Sequence, residues 1–167
     1  MAEEQTLAEV LREPEPYTAG SVTIRPRKLR LADAEAAFGA YASLLAILTQ
    51  VVGREPTAED AETAMGYVVA DLYASDPESR PEVAKLLGLL SDATEETLAR
   101  LETVDDLAGL WSACFRANSR PFGQRTSAYA PVAKRIVALM NVSLPPPSTP
   151  PESIPETPDS PGSTLSS

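Results

Sequence analysis

From Leu31 to Val52 the chain reads LADAEAAFGAYASLLAILTQVV, and its apolar residues Leu31, Ala34, Phe38, Tyr41, Leu45, Leu48 and Val52 alternate spacings of three and four. That period puts them on one face of a helix. A second stripe, Leu44, Ile47 and Val51, lies beside the first, so the last two turns are apolar over most of their circumference and need cover from several sides. Gly53 is the natural stop, since glycine takes the left-handed conformation that ends a helix. With 43% hydrophobic but only 5% aromatic residues, core volume must come from Leu, Val, Ile and Ala, which helices accommodate well. The fold class expected is mainly α: a compact bundle of about five to six helices around this one.

Downstream, Thr57 with Asp60 predicts a capped helix whose inward face is Ala61, Met65, Val68, Val69 and Leu72, ending at Asp76-Pro77. Ser79 and Glu82 read as a capping box around Pro81, which in a first turn needs no amide hydrogen, and Val83, Leu86, Leu87 and Leu90 follow as core. Thr94 to Leu101 reads as a short helix or turn. Thr103 with Asp106 caps another helix with Leu107, Leu110, Trp111, Cys114 and Phe115 facing inward, ended by Asn118 and Pro121. Val132 to Met140 reads as a final short helix. Ahead of the long helix, Ser21-Val22-Thr23-Ile24-Arg25 alternates polar and apolar in β-favouring types, which predicts one short strand or extended segment ending at Pro26.

The ends differ in kind from this middle. Residues 1–16 hold five glutamates, one arginine and two prolines, and read as a mobile acidic arm. Half of the chain's 16 prolines lie between Pro145 and Pro161, so residues 143–167 bury too little apolar surface to offset the entropy of ordering and read as a disordered Pro/Ser/Thr-rich tail. The helical domain is placed at 17–142.

Charge and composition narrow the function. Asp and Glu number 24 against 14 Lys and Arg, a net charge of −10 that disfavours nucleic acid and anionic membranes as partners. Having no histidine and one cysteine, Cys114, the chain lacks the parts for a zinc site, a Ser-His-Asp triad or a Cys-His dyad, and no enzyme activity, metal or cofactor is expected. Neither a signal-peptide pattern near Met1 nor a bilayer-length apolar run is read, Phe38 to Val52 being broken by Gly39, Ser43, Thr49 and Gln50; a cytoplasmic location is the expectation.

Individual features read blandly. Gly88 and Gly109 look like packing glycines, Glu59, Asp60, Glu62 and Asp71 like a solvated face, and Cys114 and Trp111 like core residues. The acid-free basic cluster Arg25, Arg27, Lys28 and Arg30 suits solvation, pairing with the acidic arm, or an acidic partner protein, and residues 116–135 are a second basic stretch without an acid. The tail's Pro147-Ser148-Thr149-Pro150 and Pro155-Glu156-Thr157-Pro158 match the form read by polyproline-binding grooves, which leaves open a small adaptor that docks through its tail.

Two stretches resemble a known family. Gly20-Ser21-Val22-Thr23-Ile24-Arg25-Pro26, leading through Leu29 into the long helix, is similar to the extended lead-in of the tail assembly chaperones of long-tailed (siphovirus-type) bacteriophages. Asp105-Asp106-Leu107 through Trp111 to Phe115-Arg116-Ala117-Asn118-Ser119-Arg120-Pro121-Phe122 resembles their late helix, which ends in an asparagine followed by aromatic residues; Pro121 departs from that pattern. The resemblance implies a non-enzymatic protein of the host cytoplasm, absent from the mature virion. Such a protein binds the tape measure protein, keeps it soluble and recruits major tail tube subunits, often with a frameshifted longer form. The surface expected to meet the partner, with self-association as a competitor, comprises Leu44, Ile47, Leu48, Val51, Trp111, Phe115 and Phe122.

Overall fold

The computed structural model describes residues 12–142; most of the acidic arm and the whole proline-rich tail lie outside the described residues. Strand β1 (Tyr17–Ala19) pairs antiparallel with β2 (Val22–Ile24), Tyr17 opposite Ile24, around Gly20 at φ 57. The expected single strand is thus half of a hairpin. Its partner was not read because Tyr17-Thr18-Ala19 is too short to show alternation. Val22 and Ile24 point into the core and Thr23 points out. Past the hairpin, residues 25–27 run alongside 90–92, with Arg27 N donating to Leu90 O at 2.8 Å and Asp92 N to Arg25 O at 3.0 Å.

A 3-10 turn (Leu31–Asp33) opens α1 (Ala34–Val52), which ends at Gly53 in the left-handed conformation, φ 69. Leu31 is 94% exposed, so the buried stripe begins later than its spacing indicated, and Ala37, Tyr41, Leu44, Leu45 and Leu48 carry the core contacts. Counted from Leu31, this segment has 22 residues and a mean hydropathy of 1.4, long and apolar enough by composition to cross a bilayer, contrary to expectation. In this fold one side of it packs into the core, and 33% of the apolar window is buried. Tyr41 and Thr126 share a buried hydroxyl hydrogen bond, and Thr49 Oγ1 bonds back to Leu45 O at 2.7 Å.

Next come α2 (Ala58–Glu62), α3 (Ala64–Ser75), α4 (Arg80–Leu90), α5 (Glu95–Ala99), α6 (Val104–Ala117) and α7 (Ser119–Val142). The most extensive packing is α3 on α6 and α1 on α7. At the first contact Gly66 meets Ala108: a Cβ on Gly66 would stand 2.9 Å from Ala108 O, so only glycine permits this approach. Gly109 serves likewise, with the Tyr17 ring lying where its side chain would be.

Three elements depart from expectation. The helix after Thr57 is two helices, because α6 side chains take its carbonyls: Trp111 Nε1 donates to Ala61 O at 2.8 Å and Ser112 Oγ to Glu62 O at 2.9 Å. Gly66 N then bonds to Thr63 O, and the path bends at Thr63. The box at Ser79 does not form, since Ser79 is already helical in backbone; Asp76 caps the turn, accepting from Glu78 N and the Ser79 hydroxyl. Finally, neither Pro121 nor Pro131 breaks α7. Pro121 is in the first turn, where no amide is needed, and Pro131 is on the exposed side, while Phe122, Thr126, Ala130 and Ala133 face inward.

The capping box at Thr57 carries a pH signature. Asp60 accepts from Arg54, from Thr57 N and from the Thr57 hydroxyl, and chiefly the Arg54 bond holds its carboxyl down to about 2 from 3.8. A carboxyl depressed on folding stabilises the protein above its unfolded value and loses that contribution as pH falls from 3.8 toward about 2. Asp60→Asn is therefore expected to melt lower than the natural chain at neutral pH, the gap closing on acidification; thermal melts across that range check it.

Candidate functional site

Apolar surface stays open where α1, the end of α3 and the start of α4 meet. Ile47 of α1 and Leu72 of α3 are half-buried along a groove of about 310 Å³, whose floor is closed by the buried side chains of Leu44, Val83 and Leu86. Its rim is acidic: Asp76, Glu78 and Glu82, with no basic residue among those lining it. The rim follows from the break at Asp76-Pro77, which lets α3 end and α4 begin over the α1 stripe. Asp76 is held below the usual carboxylate range, mainly by the Ser79 hydroxyl, so it stays charged. The nearby Arg80 is turned away onto the last carbonyls of α3, donating to Tyr73 O at 2.7 Å and Ala74 O at 3.2 Å.

The seven residues expected to meet a partner divide sharply. Leu44 and Ile47 line the groove, Leu44 as a buried floor residue and Ile47 half-buried. Val51, one turn further along the same stripe, is 68% exposed. Leu48, Trp111, Phe115 and Phe122 are core residues and offer no partner surface, a correction. The reason is α7, which folds back along α1 and drives Phe122 among the other rings. The centroids of Tyr41 and Phe122 are 4.7 Å apart, those of Phe115 and Phe122 5.9 Å, and Trp111 stacks on Tyr41 at 6.3 Å. Conversely, Leu72, Val83 and Leu86 were read only as core. Val83 and Leu86 are core as read, and Leu72 is half-buried beside the acids at 76–82.

The two stretches that carry the family resemblance touch. Asn118, 3% exposed, accepts from Leu29 N at 2.7 Å through Oδ1 and donates at 3.0 Å to both Arg27 O and Cys114 O through Nδ2. One side chain thereby fastens the extended lead-in to the end of α6.

Among the described residues no group of three or more His, Cys, Asp or Glu is placed to hold a metal ion. Burial pushes the Cys114 thiol up to about 12, the nearby Ser91 hydroxyl only partly offsetting it. A thiolate reagent at mildly alkaline pH is expected to label the native protein no faster than it unfolds, and to label it at once in denaturant. Rapid native labelling would show that α6 opens locally. Comparison of the chain with family models, with curated proteins and with solved structures finds no match.

Proposed function

We propose that this protein is a non-enzymatic assembly chaperone that holds an apolar helical segment of a phage tape measure protein, in the host cytoplasm, and helps bring tail tube subunits to it. The observation that carries the reading is the groove between α1, α3 and α4, apolar on its floor and carboxylate-lined on its rim. Such a groove suits an amphipathic helix whose apolar stripe is flanked by Lys or Arg. The chain's own ends fit it poorly, because residues 1–16 carry five glutamates and the tail carries Glu152, Glu156 and Asp159 with no base. Meeting of the two family-like stretches at Asn118 supports the same reading. Each Leu or Ile of a client buried in the groove is worth about 1.5–3 kcal/mol, and the rim selects orientation and partner more than affinity.

Co-expression tests it. A tape-measure fragment is expected to be more soluble with this protein than without, and the gain should fall when Ile47 and Val51 are changed to Glu or when Glu78 and Glu82 are changed to Lys. Circular dichroism of each variant separates lost binding from lost fold. A fragment equally insoluble in both cases would remove this reading and favour the adaptor that docks through its proline-rich tail.

A further inference from the structure

A second surface is built at the C-terminal end of α6, from the two acid-free stretches. Asn118 fastens residues 27–29 to the last turn of α6, which gathers basic side chains distant in sequence. Some of these are engaged within the fold: Arg27 donates to Ser91 O and Gly88 O at the end of α4, Arg125 lies over the Phe38 ring at 4.4 Å, and Lys134 stands 3.7 Å from Glu55. Lys28, Arg30, Arg116 and Arg120 are exposed around the clasp. Glu62 lies 3.6 Å from Arg116 and Asp33 lies 3.1 Å from Arg30, so the local charge is reduced there but still positive, in a chain whose net charge is −10.

Beside this cluster runs a trough of about 380 Å³ with Ala113 and Ala117 along it and Lys28 and Arg116 on it. Its other wall is the chain's own segment from Arg12 to Glu15, where the exposed Glu15 stands 3.9 Å from Arg12 of the same segment and Glu13 is also exposed. Tyr17 sets that placement: its ring rests against Gly109 and its hydroxyl donates to Asp106 O at 2.8 Å, so the chain leaves β1 directly over α6. Three further glutamates, Glu3, Glu4 and Glu9, precede Glu13 and Glu15 in the sequence.

We infer that this basic end is a docking surface for acidic protein segments, and that its resident occupant is the chain's own N-terminal segment centred on Glu13 and Glu15. A tethered occupant competes at an effective concentration in the millimolar range, so an external acidic segment binds only by displacing it. The attraction is between exposed charges and weakens with salt.

The test uses the full chain and, as probe, a fluorescent peptide of residues 1–16. A variant with Glu3, Glu4, Glu9, Glu13 and Glu15 all changed to Gln is expected to bind the peptide at least about tenfold more tightly than the natural chain at low ionic strength, from removal of the tethered competitor. Adding Lys28→Glu and Arg116→Glu to that variant should abolish the binding, and high salt should weaken it. Equal affinity for the natural and neutral-arm chains, no binding by either, or binding that survives the two charge reversals would overturn the inference. So would tight binding of a single-stranded nucleic acid by the neutral-arm chain without binding of the peptide. In the natural chain, which avoids any question of misfolded variants, carbodiimide is expected to join Lys28 to Glu13 or Glu15. Absence of that cross-link from the digested protein would also overturn it.

Discussion

Trp111→Ala is expected to lower the free energy of unfolding by about 3–5 kcal/mol, the range for emptying a large aromatic site in a core. Trp111 has no exposed surface and stands among Tyr41, Phe115 and Phe122, so the cavity left behind would be walled by rings that cannot all move in. The indole also bonds to Ala61 O at the bend between α2 and α3. Removing it orphans a buried carbonyl, itself a cost of about 1–3 kcal/mol. Trp111→Phe separates the two contributions. It keeps most of the ring volume and drops the hydrogen bond, and is expected to cost about 1–3 kcal/mol. Against a total stability of about 5–15 kcal/mol for a domain of this size, the alanine variant should shift the urea midpoint far to lower concentration. A loss under about 1 kcal/mol would mean that α2 and α3 straighten and Met65 N takes the freed carbonyl, so that the bend is not maintained by Trp111.

That bend shows where reading the sequence reached its limit. Capping at Thr57 and Thr103 was legible because each box is a local pattern of four residues, and both boxes form. The split at Thr63 was not, because its cause is a pair of side chains on α6, fifty residues away. The long helix α7 was hidden for another reason. Its buried stripe is Phe122, Thr126, Ala130 and Ala133, too weakly apolar to stand out from its surroundings, and Pro121 reads as the end of the helix before it. Thr126 serves inside because its hydroxyl is satisfied by Phe122 O and Tyr41. The groove had the same limitation. Each stripe that lines it was legible singly, but the gap between them depends on how α1, α3 and α4 cross, which periodicity does not encode.

Asn118→Ala is expected to cost about 1–3 kcal/mol, because it leaves Leu29 N and Arg27 O without their partner in a partly buried site. The side chain is only 3% exposed, and the pairing of residues 25–27 with 90–92 stops at Arg27 N, short of the two groups that Asn118 holds. The loss should be local as well as global. Amide exchange at Leu29 and in the β1–β2 hairpin is expected to rise more than exchange in α3, since the clasp fixes the lead-in and not the α3–α6 contact. Asn118→Asp sharpens the test. Its carboxylate could still accept from Leu29 N, but it would face Arg27 O and Cys114 O with no hydrogen to offer either. Burial and those two acceptors favour the protonated acid, so the carboxyl's value is raised on folding and the variant gains stability as pH falls through the carboxylate range. Urea unfolding of both variants at neutral and acidic pH, with exchange read by mass spectrometry, decides the matter. A loss below about 1 kcal/mol with unchanged exchange at Leu29 would show that the lead-in is held by Arg27 and Pro26 against α4, and that Asn118 merely occupies the gap.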